Sequence, residues 1–267
     1  MTSAYAEVIG DPIAHSKSPT IHQFWLAALG IEDDYRAQQV TRAGLRDYLA
    51  SRRGDPAWRG CNVTMPLKLD ALLLADQASD VATAAGATNL LVLREGQLIA
   101  NNTDVTAVRS VLARFASMGA ITLLGNGGAA RAILLALKML GVGPVVLQSR
   151  DMAAATSLAI EFGLEHRPRI FTAAVDTMGL INATPLGMAG IAPHAIDIAA
   201  MPDGGWVFDL VSSPLPTPLL AQASNQGLAT IDGLTMLVEQ AADSFEALFG
   251  QPPPRGRDEQ LMALLRA

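Results

Sequence analysis

The sequence is short of charge, of aromatic side chains and of cysteine, and each shortage narrows what the chain can be. Of its 267 residues only 16% are charged and 5% aromatic, against 50% hydrophobic. The apolar residues are spread evenly, which describes a compact folded protein and excludes a disordered one. Cys61 is the single cysteine, so an intrachain disulfide is impossible and a reducing compartment is the expected setting. A formal net charge of −6 and the lack of any basic cluster argue against a nucleic-acid partner. The longest apolar run is broken by Arg131 and Lys138 before it could span a bilayer. The N-terminal MTSAYAEVIGDP has neither the basic start nor the apolar core of a signal peptide, and a cytoplasmic chain is expected. His15, His22, His166 and His194 show no metal-ligand spacing, and no metal site is assigned.

What is present is a long chain that alternates strand and helix patterns, enough for two domains or one large α/β unit. The stretch from Ile121 to Leu140, ITLLGNGGAARAILLALKML, runs an apolar strand into a glycine turn and then an apolar helix. Gly125, Gly127 and Ala130 fit the G-x-G-x-x-A form of the dinucleotide fingerprint. The first Gly allows the tight turn, the second lets backbone approach a pyrophosphate, and the third small residue lets helix pack on strand. A following strand, Pro144 to Gln148, completes a βαβ order, with a helix from Asp151 to Phe162 and strands at Ile170–Thr172 and Gly179–Asn182 beyond it. Arg150 stands where such a site chooses between a ribose hydroxyl and a 2′-phosphate, and favours NADP; Asp151 beside it reads as a helix N-cap. The Pro- and Gly-rich NATPLGMAGIAP then forms a loop beyond a strand end, where ligands of open α/β sheets bind.

The first hundred residues carry other candidates. A strand, Tyr5 to Gly10, leads to a loop in which Ser16 and Ser18 flank Lys17, with Ser18 as N-cap of a helix presenting Ile21, Phe24, Trp25 and Leu29. Two hydroxyls there can bind a carboxylate, although on their own they read first as capping and solvated residues. Thr41 is expected to cap a helix over 42–50. A strand from Gly60 to Val63 breaks at Thr64-Met65-Pro66, just before Lys68. A hairpin over 88–100 ends in Asn101-Asn102-Thr103, with Thr103 or Asp104 capping the next helix. Spacing alone favours a solvated Lys68 and a capping Asp104; brought together in a cleft, the two would make a charge-coupled pair able to hand a proton to a developing alkoxide. Later segments predict a strand at 206–211, a helix opened by Thr217-Pro218, a strand at 229–231, and helices over 233–249 and 258–267.

Taken together, IGDPIAHSKSPTIH, GCNVTMPLK, AGATN, NNTD, GNGGAARA, INATPLGM and DGLTMLVEQAADSF resemble, in this order and spacing, the shikimate dehydrogenase family, over nearly the whole chain. The resemblance implies an α/β fold of two domains, a discontinuous substrate domain over 1–103 and 237–267 and a Rossmann-like NADP domain over 104–236. It implies the NADP-dependent interconversion of 3-dehydroshikimate and shikimate in aromatic amino-acid biosynthesis. Lys68 and Asp104 would be the catalytic pair; Ser16 and Ser18 would hold the substrate carboxylate; Thr64, Asn89, Asp104 and Gln240 would bind ring hydroxyls. Gly125, Asn126, Gly127, Gly128 and Ala129 would cradle the pyrophosphate and Arg150 the adenosine phosphate, with Asn182, Thr184, Pro185 and Gly233 bordering the rest of the cofactor. The partners would be small molecules only, with no membrane, and the assembly a monomer or homodimer. Three positions depart from the pattern: Val105 where the family usually has Gly, Ser212 where a substrate-contacting Tyr is common, and Met152–Ala155 where a second Arg often stands. A shikimate/quinate dehydrogenase using NAD, or a related oxidoreductase of another substrate, is the same-fold alternative. A non-catalytic nucleotide-binding regulator is another. Arg150 speaks against an S-adenosylmethionine methyltransferase, which wants an acid at that strand end.

Overall fold

Six consecutive buried residues, Tyr5–Gly10, form β1, a strand enclosed by a neighbour on each side. The computed structural model describes residues 3–115, 119–164, 169–170, 174–193 and 195–267. His166, His194 and the end of the strand expected at 170–172 lie outside the described residues. The chain divides into two compact units, Met1–Thr106 with Val238–Ala267, and Ala107–Leu237.

The first unit continues through α1 (Ser18–Leu29), β2 (Asp34–Gln39), α2 (Leu45–Arg53), β3 (Trp58–Val63), α3 (Lys68–Leu73), β4 (Gln77–Ala78), α4 (Asp80–Ala85), β5 (Leu90–Arg94) and β6 (Gln97–Asn101) to the start of α5 (Thr103–Leu112), whose residues from Ala107 on belong to the second unit. Its sheet has the order β2-β1-β3-β5-β6-β4. Strands β1, β2 and β3 run parallel, and β5 and β6 form an antiparallel hairpin against β3. Glu95 and Gly96 turn that hairpin with φ of 52° and 77°, the two positive values that match the twist of the flanking strands.

Five details differ from the sequence expectation. Ser18 is the first residue of α1 and does not cap it; Lys17 occupies the cap position without a side-chain bond. The buried face of α1 is Ser18, Ile21, His22, Trp25 and Leu26, so Leu29 points outward. Thr41 accepts a hydrogen bond from the N–H of Gly44, and its turn delays the helix to Leu45. Thr103 and Asp104 sit inside the first turn of α5, and the Asp104 carboxylate is turned to side chains instead of capping. Helix α4, capped by Ser79 through the N–H of Ala82, had no counterpart in the sequence expectation.

The second unit contains β7 (Ile121–Leu124), α6 (Gly128–Leu140), β8 (Val145–Ser149), α7 (Met152–Phe162), β9 (Arg169–Ile170), β10 (Gly179–Asn182), β11 (Trp206–Asp209), α8 (Pro218–Asn225) and β12 (Ala229–Asp232). The strands are all parallel in the order β12-β11-β10-β7-β8-β9. That is the doubly wound order 3-2-1-4-5-6, which reverses direction between β7 and β10. Asp151 caps α7 through the N–H of Ala154, and Thr217 caps α8 through that of Leu220. Helix α9 (Gly233–Phe249) begins in this unit and ends in the first, where α10 (Asp258–Arg266) closes the chain. Among the described residues no helix is long and apolar enough to cross a membrane.

Candidate active site

In the first unit, topology gathers the polar candidates at one edge of the sheet. Parallel β1 and β3 both end there, at Gly10 and Val63. Because β5 runs antiparallel to β3, pairing Leu90 with Asn62, it begins there; β6 pairs Asn101 with Leu90 and so ends there. The loops carrying Ser16 and Ser18, Thr64 and Lys68, Asn89, and Asp104 therefore leave from the same edge. The β1 and β3 loops are zipped: Thr64 N–H donates to Ile9 O and Asp11 N–H to Met65 O. A Cβ on Gly10 would lie 2.5 Å from the Thr64 methyl, so this close approach requires glycine.

Lys68 and Asp104, 36 residues apart in sequence, meet there. The Lys68 ammonium donates to Asp104 Oδ2 at 2.5 Å, with side-chain exposures of 14% and 6%. Asp104 Oδ1 accepts from Asn89 Nδ2 at 2.9 Å. Both carboxylate oxygens thus act as acceptors, as those of an ionised Asp do, while Lys68 keeps two further N–H donors. The Asn89 amide also donates to Thr103 Oγ1 at 2.8 Å and to Gln240 Oε1 of α9 at 3.3 Å, and its Oδ1 accepts from the N–H of Thr103 at 2.7 Å. Lys68, Asn89, Asp104 and Gln240 are therefore one hydrogen-bonded group. Ser16 and Ser18 form a second, in which Ser18 N–H donates to Ser16 Oγ at 3.3 Å. Val105 is fully buried in α5, so its side chain belongs to the core.

Behind this group lies a polar layer to which the sequence expectation assigned no role. Tyr35 donates to Asn62 Oδ1 at 2.7 Å, and Asn62 Nδ2 donates to Ser244 Oγ at 2.8 Å. The signal available was an asparagine inside an otherwise apolar strand, RGCNV. His22 stacks on Tyr35 with ring centroids 3.9 Å apart and planes 3° from parallel. Burial without any hydrogen-bonding partner among the described residues pushes its pKa down to about 3, so the imidazole is neutral.

In the second unit the glycine turn stands at the switch between β7 and β10, the place where an open α/β sheet takes its ligand. Gly125 has φ +109°, and a Cβ there would lie 3.2 Å from the Thr184 methyl and 3.3 Å from Ala183 O. Around Gly127 the space is open. It caps α6 with no side-chain bond and no acid in the first turn, which leaves backbone N–H groups and the positive end of the helix for an anion. These residues fit a dinucleotide pyrophosphate. Arg150 is exposed just past β8. Asn182 is engaged internally: its Nδ2 donates to Asp209 Oδ1 at 2.9 Å, and its Oδ1 accepts from Thr184 N–H and Oγ1. Asp209, at the end of β11, also accepts from Thr217 Oγ1 and Val211 N–H; burial nonetheless raises its pKa. Gly233 is accounted for by packing, since a Cβ there would fall 2.2 Å from Leu210 O. Among the described residues no cluster of His, Cys, Asp and Glu could hold a metal ion.

Two family models match the chain. Residues 8–91 match the model of the shikimate dehydrogenase substrate binding domain, and residues 233–262 that of the shikimate 5'-dehydrogenase C-terminal domain. The shikimate dehydrogenase (NADP(+)) of Sphingopyxis alaskensis is 50% identical over 99% of this chain and 98% of its own. That of Cereibacter sphaeroides is 40% identical over 93% of this chain and 92% of its own. Among solved structures, shikimate 5-dehydrogenase from Thermus thermophilus in complex with NADP(H) and shikimate superposes with a TM-score of 0.86. It is 34% identical, covering 98% of this chain and 99% of that one.

Proposed function

The chain belongs to the shikimate dehydrogenase family, and from that premise we propose that it reduces 3-dehydroshikimate reversibly to shikimate with NADPH, in aromatic amino-acid biosynthesis. The observation that carries the residue roles is the buried Lys68–Asp104 pair at the sheet edge, with Asn89 on the other carboxylate oxygen. When bound, the reduced nicotinamide supplies the hydride that adds to the ring carbonyl carbon. Lys68 supplies the proton. Its ammonium has donors to spare, whereas both Asp104 oxygens are already accepting and the carboxylate has no proton to give. Proton donation to the developing alkoxide completes the hydroxyl group; in the reverse direction neutral Lys68 takes the hydroxyl proton back. Asp104 holds the ammonium in place and offsets its charge.

Ser16 and Ser18 present hydroxyls for the substrate carboxylate, and Thr64, Asn89, Asp104 and Gln240 meet the ring hydroxyls. In the other unit, Gly125 to Ala129 receive the pyrophosphate and Arg150 the 2′-phosphate, while Asn182, Thr184 and Pro185 border the nicotinamide side and Gly233 contributes to the rest of the cofactor site. The enzyme works in the cytoplasm on small molecules alone, as a monomer or homodimer. Lys68→Ala should lower turnover of shikimate with NADP by roughly 10²–10⁴, the usual contribution of a general acid-base group. Turnover close to that of the parent chain would remove Lys68 from the mechanism.

A further inference from the structure

The Asn89 amide has two hydrogens and three acceptors around it: Asp104 Oδ1, Thr103 Oγ1 and Gln240 Oε1. How they are shared depends on where the neighbouring hydroxyl hydrogens point. Ser244, on α9 and 0% exposed, decides this. Its hydroxyl donates to the backbone carbonyl of Gln240 at 2.9 Å, and its oxygen accepts from Asn62 Nδ2. Thr103 Oγ1 lies 3.1 Å from Ser244 Oγ. Either oxygen can donate in that contact; with the Ser244 hydrogen on the Gln240 carbonyl, which can only accept, Thr103 becomes the donor. Thr103 Oγ1 is then free to accept only from Asn89, and the chain of donors runs one way, from Asn89 through Thr103 and Ser244 to the carbonyl of α9.

We propose that Ser244 is a positioning residue: it fixes the direction of this buried hydrogen-bond chain, so that Asn89 is held with one N–H on Thr103 and the other on Asp104. The inference rests on the reading of Lys68 and Asp104 as the catalytic pair. Ser244 acts through Asn89 and touches no reacting atom. Without its oxygen, the Thr103 hydroxyl loses its acceptor, and the fixed division of the Asn89 hydrogens is lost. Asp104 then loses part of what orients it beneath Lys68.

The test is a double-mutant cycle on shikimate oxidation at saturating NADP, using the full chain. Ser244→Ala should lower kcat about tenfold, the effect of one buried hydrogen bond in a positioned site, and leave KM for NADP unchanged. In an Asn89→Ala background the same substitution should change kcat less than about twofold, because its route to Asp104 is already gone. Thr103→Ser, which keeps the hydroxyl, should retain turnover, and Thr103→Val, which keeps the shape, should lose it about as Ser244→Ala does; this pair decides the matter if Ser244→Ala does not fold. An unchanged kcat in Ser244→Ala, or an equal loss in both backgrounds, would overturn the proposal, the second because it marks a merely structural role. A parent chain unable to oxidise shikimate would overturn both this inference and the assigned function.

Discussion

His22 shows how far burial can move a single residue. It lies against Tyr35, Trp25, Phe245 and Phe249, both ring nitrogens lack partners among the described residues, and its pKa is held near 3 against an ordinary 6.5. The folded chain therefore keeps it neutral where the unfolded chain would protonate it. Stability from this residue is complete above about pH 6.5 and is lost as pH falls from there toward 3, at about 1.4 kcal/mol per pH unit. At pH 4.5 the loss relative to pH 7 should reach about 2–3 kcal/mol, and His22→Leu should flatten that part of the curve. Denaturant midpoints compared at pH 7 and 4.5 check this; the same pH slope in both proteins would contradict it. The expected face of α1 shared Ile21 and Trp25 with the observed one but took in Phe24 and Leu29 where the helix buries His22 and Leu26, because apolar residues were preferred over a histidine in placing it. Lys68 and Asp104 were legible as residue types, and the hairpin between them was read from its glycine turn, but the pairing of that hairpin with β3, which brings the two residues to one end of the sheet, is not encoded in spacing along the chain.

At the scale of elements, α2 is tied to the interior of the first sheet by a charge. Glu7, on β1 and 1% exposed, accepts from Arg52 at 2.9 and 3.1 Å and from the Tyr48 hydroxyl at 2.6 Å. The fork is bidentate, and these hydrogen bonds hold the Arg52 pKa above its ordinary value. Removing one partner of a buried pair leaves the other without compensation for its lost hydration. Arg52→Met should therefore destabilise the chain by about 2–4 kcal/mol, the lower part of the usual range, since Tyr48 and Arg36 remain near Glu7. A shift of the urea midpoint equivalent to less than about 0.5 kcal/mol, the scale of an ordinary surface substitution, would show that the pair does not anchor α2. An acid in the middle of an apolar strand was visible in YAEVIG, but its partners come from α2 and no local pattern names them. Regular elements with strong punctuation, such as β1, β10 and α9, were read with their bounds. Helix α4, six residues of Asp, Val, Ala and Thr behind a serine cap, was too short to show a period.

For the whole molecule, the opening of the second unit, β7-α6-β8-α7, follows the alternation of apolar strands and helices in its sequence, but β9, β10 and β11 follow without a described helix between them, and their places in the sheet are set by tertiary pairing. The first unit mixes parallel strands with a hairpin, and only this mixture brings four loops to one edge. In the proposed reaction the first unit supplies the Lys68–Asp104 pair and the second the glycine turn, so neither motif alone specifies it. None of the three departures from the family pattern disturbs the fold: Val105 is absorbed into the core, Ser212 is partly exposed, and Met152 to Ala155 form the first turn of α7. The most direct measurement of the central claim is therefore a steady-state panel of shikimate and quinate, each with NADP and with NAD. Shikimate with NADP should give the highest kcat/KM, and the NADP-to-NAD ratio should fall in Arg150→Ala. Efficient oxidation of quinate with NAD, exceeding that of shikimate with NADP, would contradict the assignment.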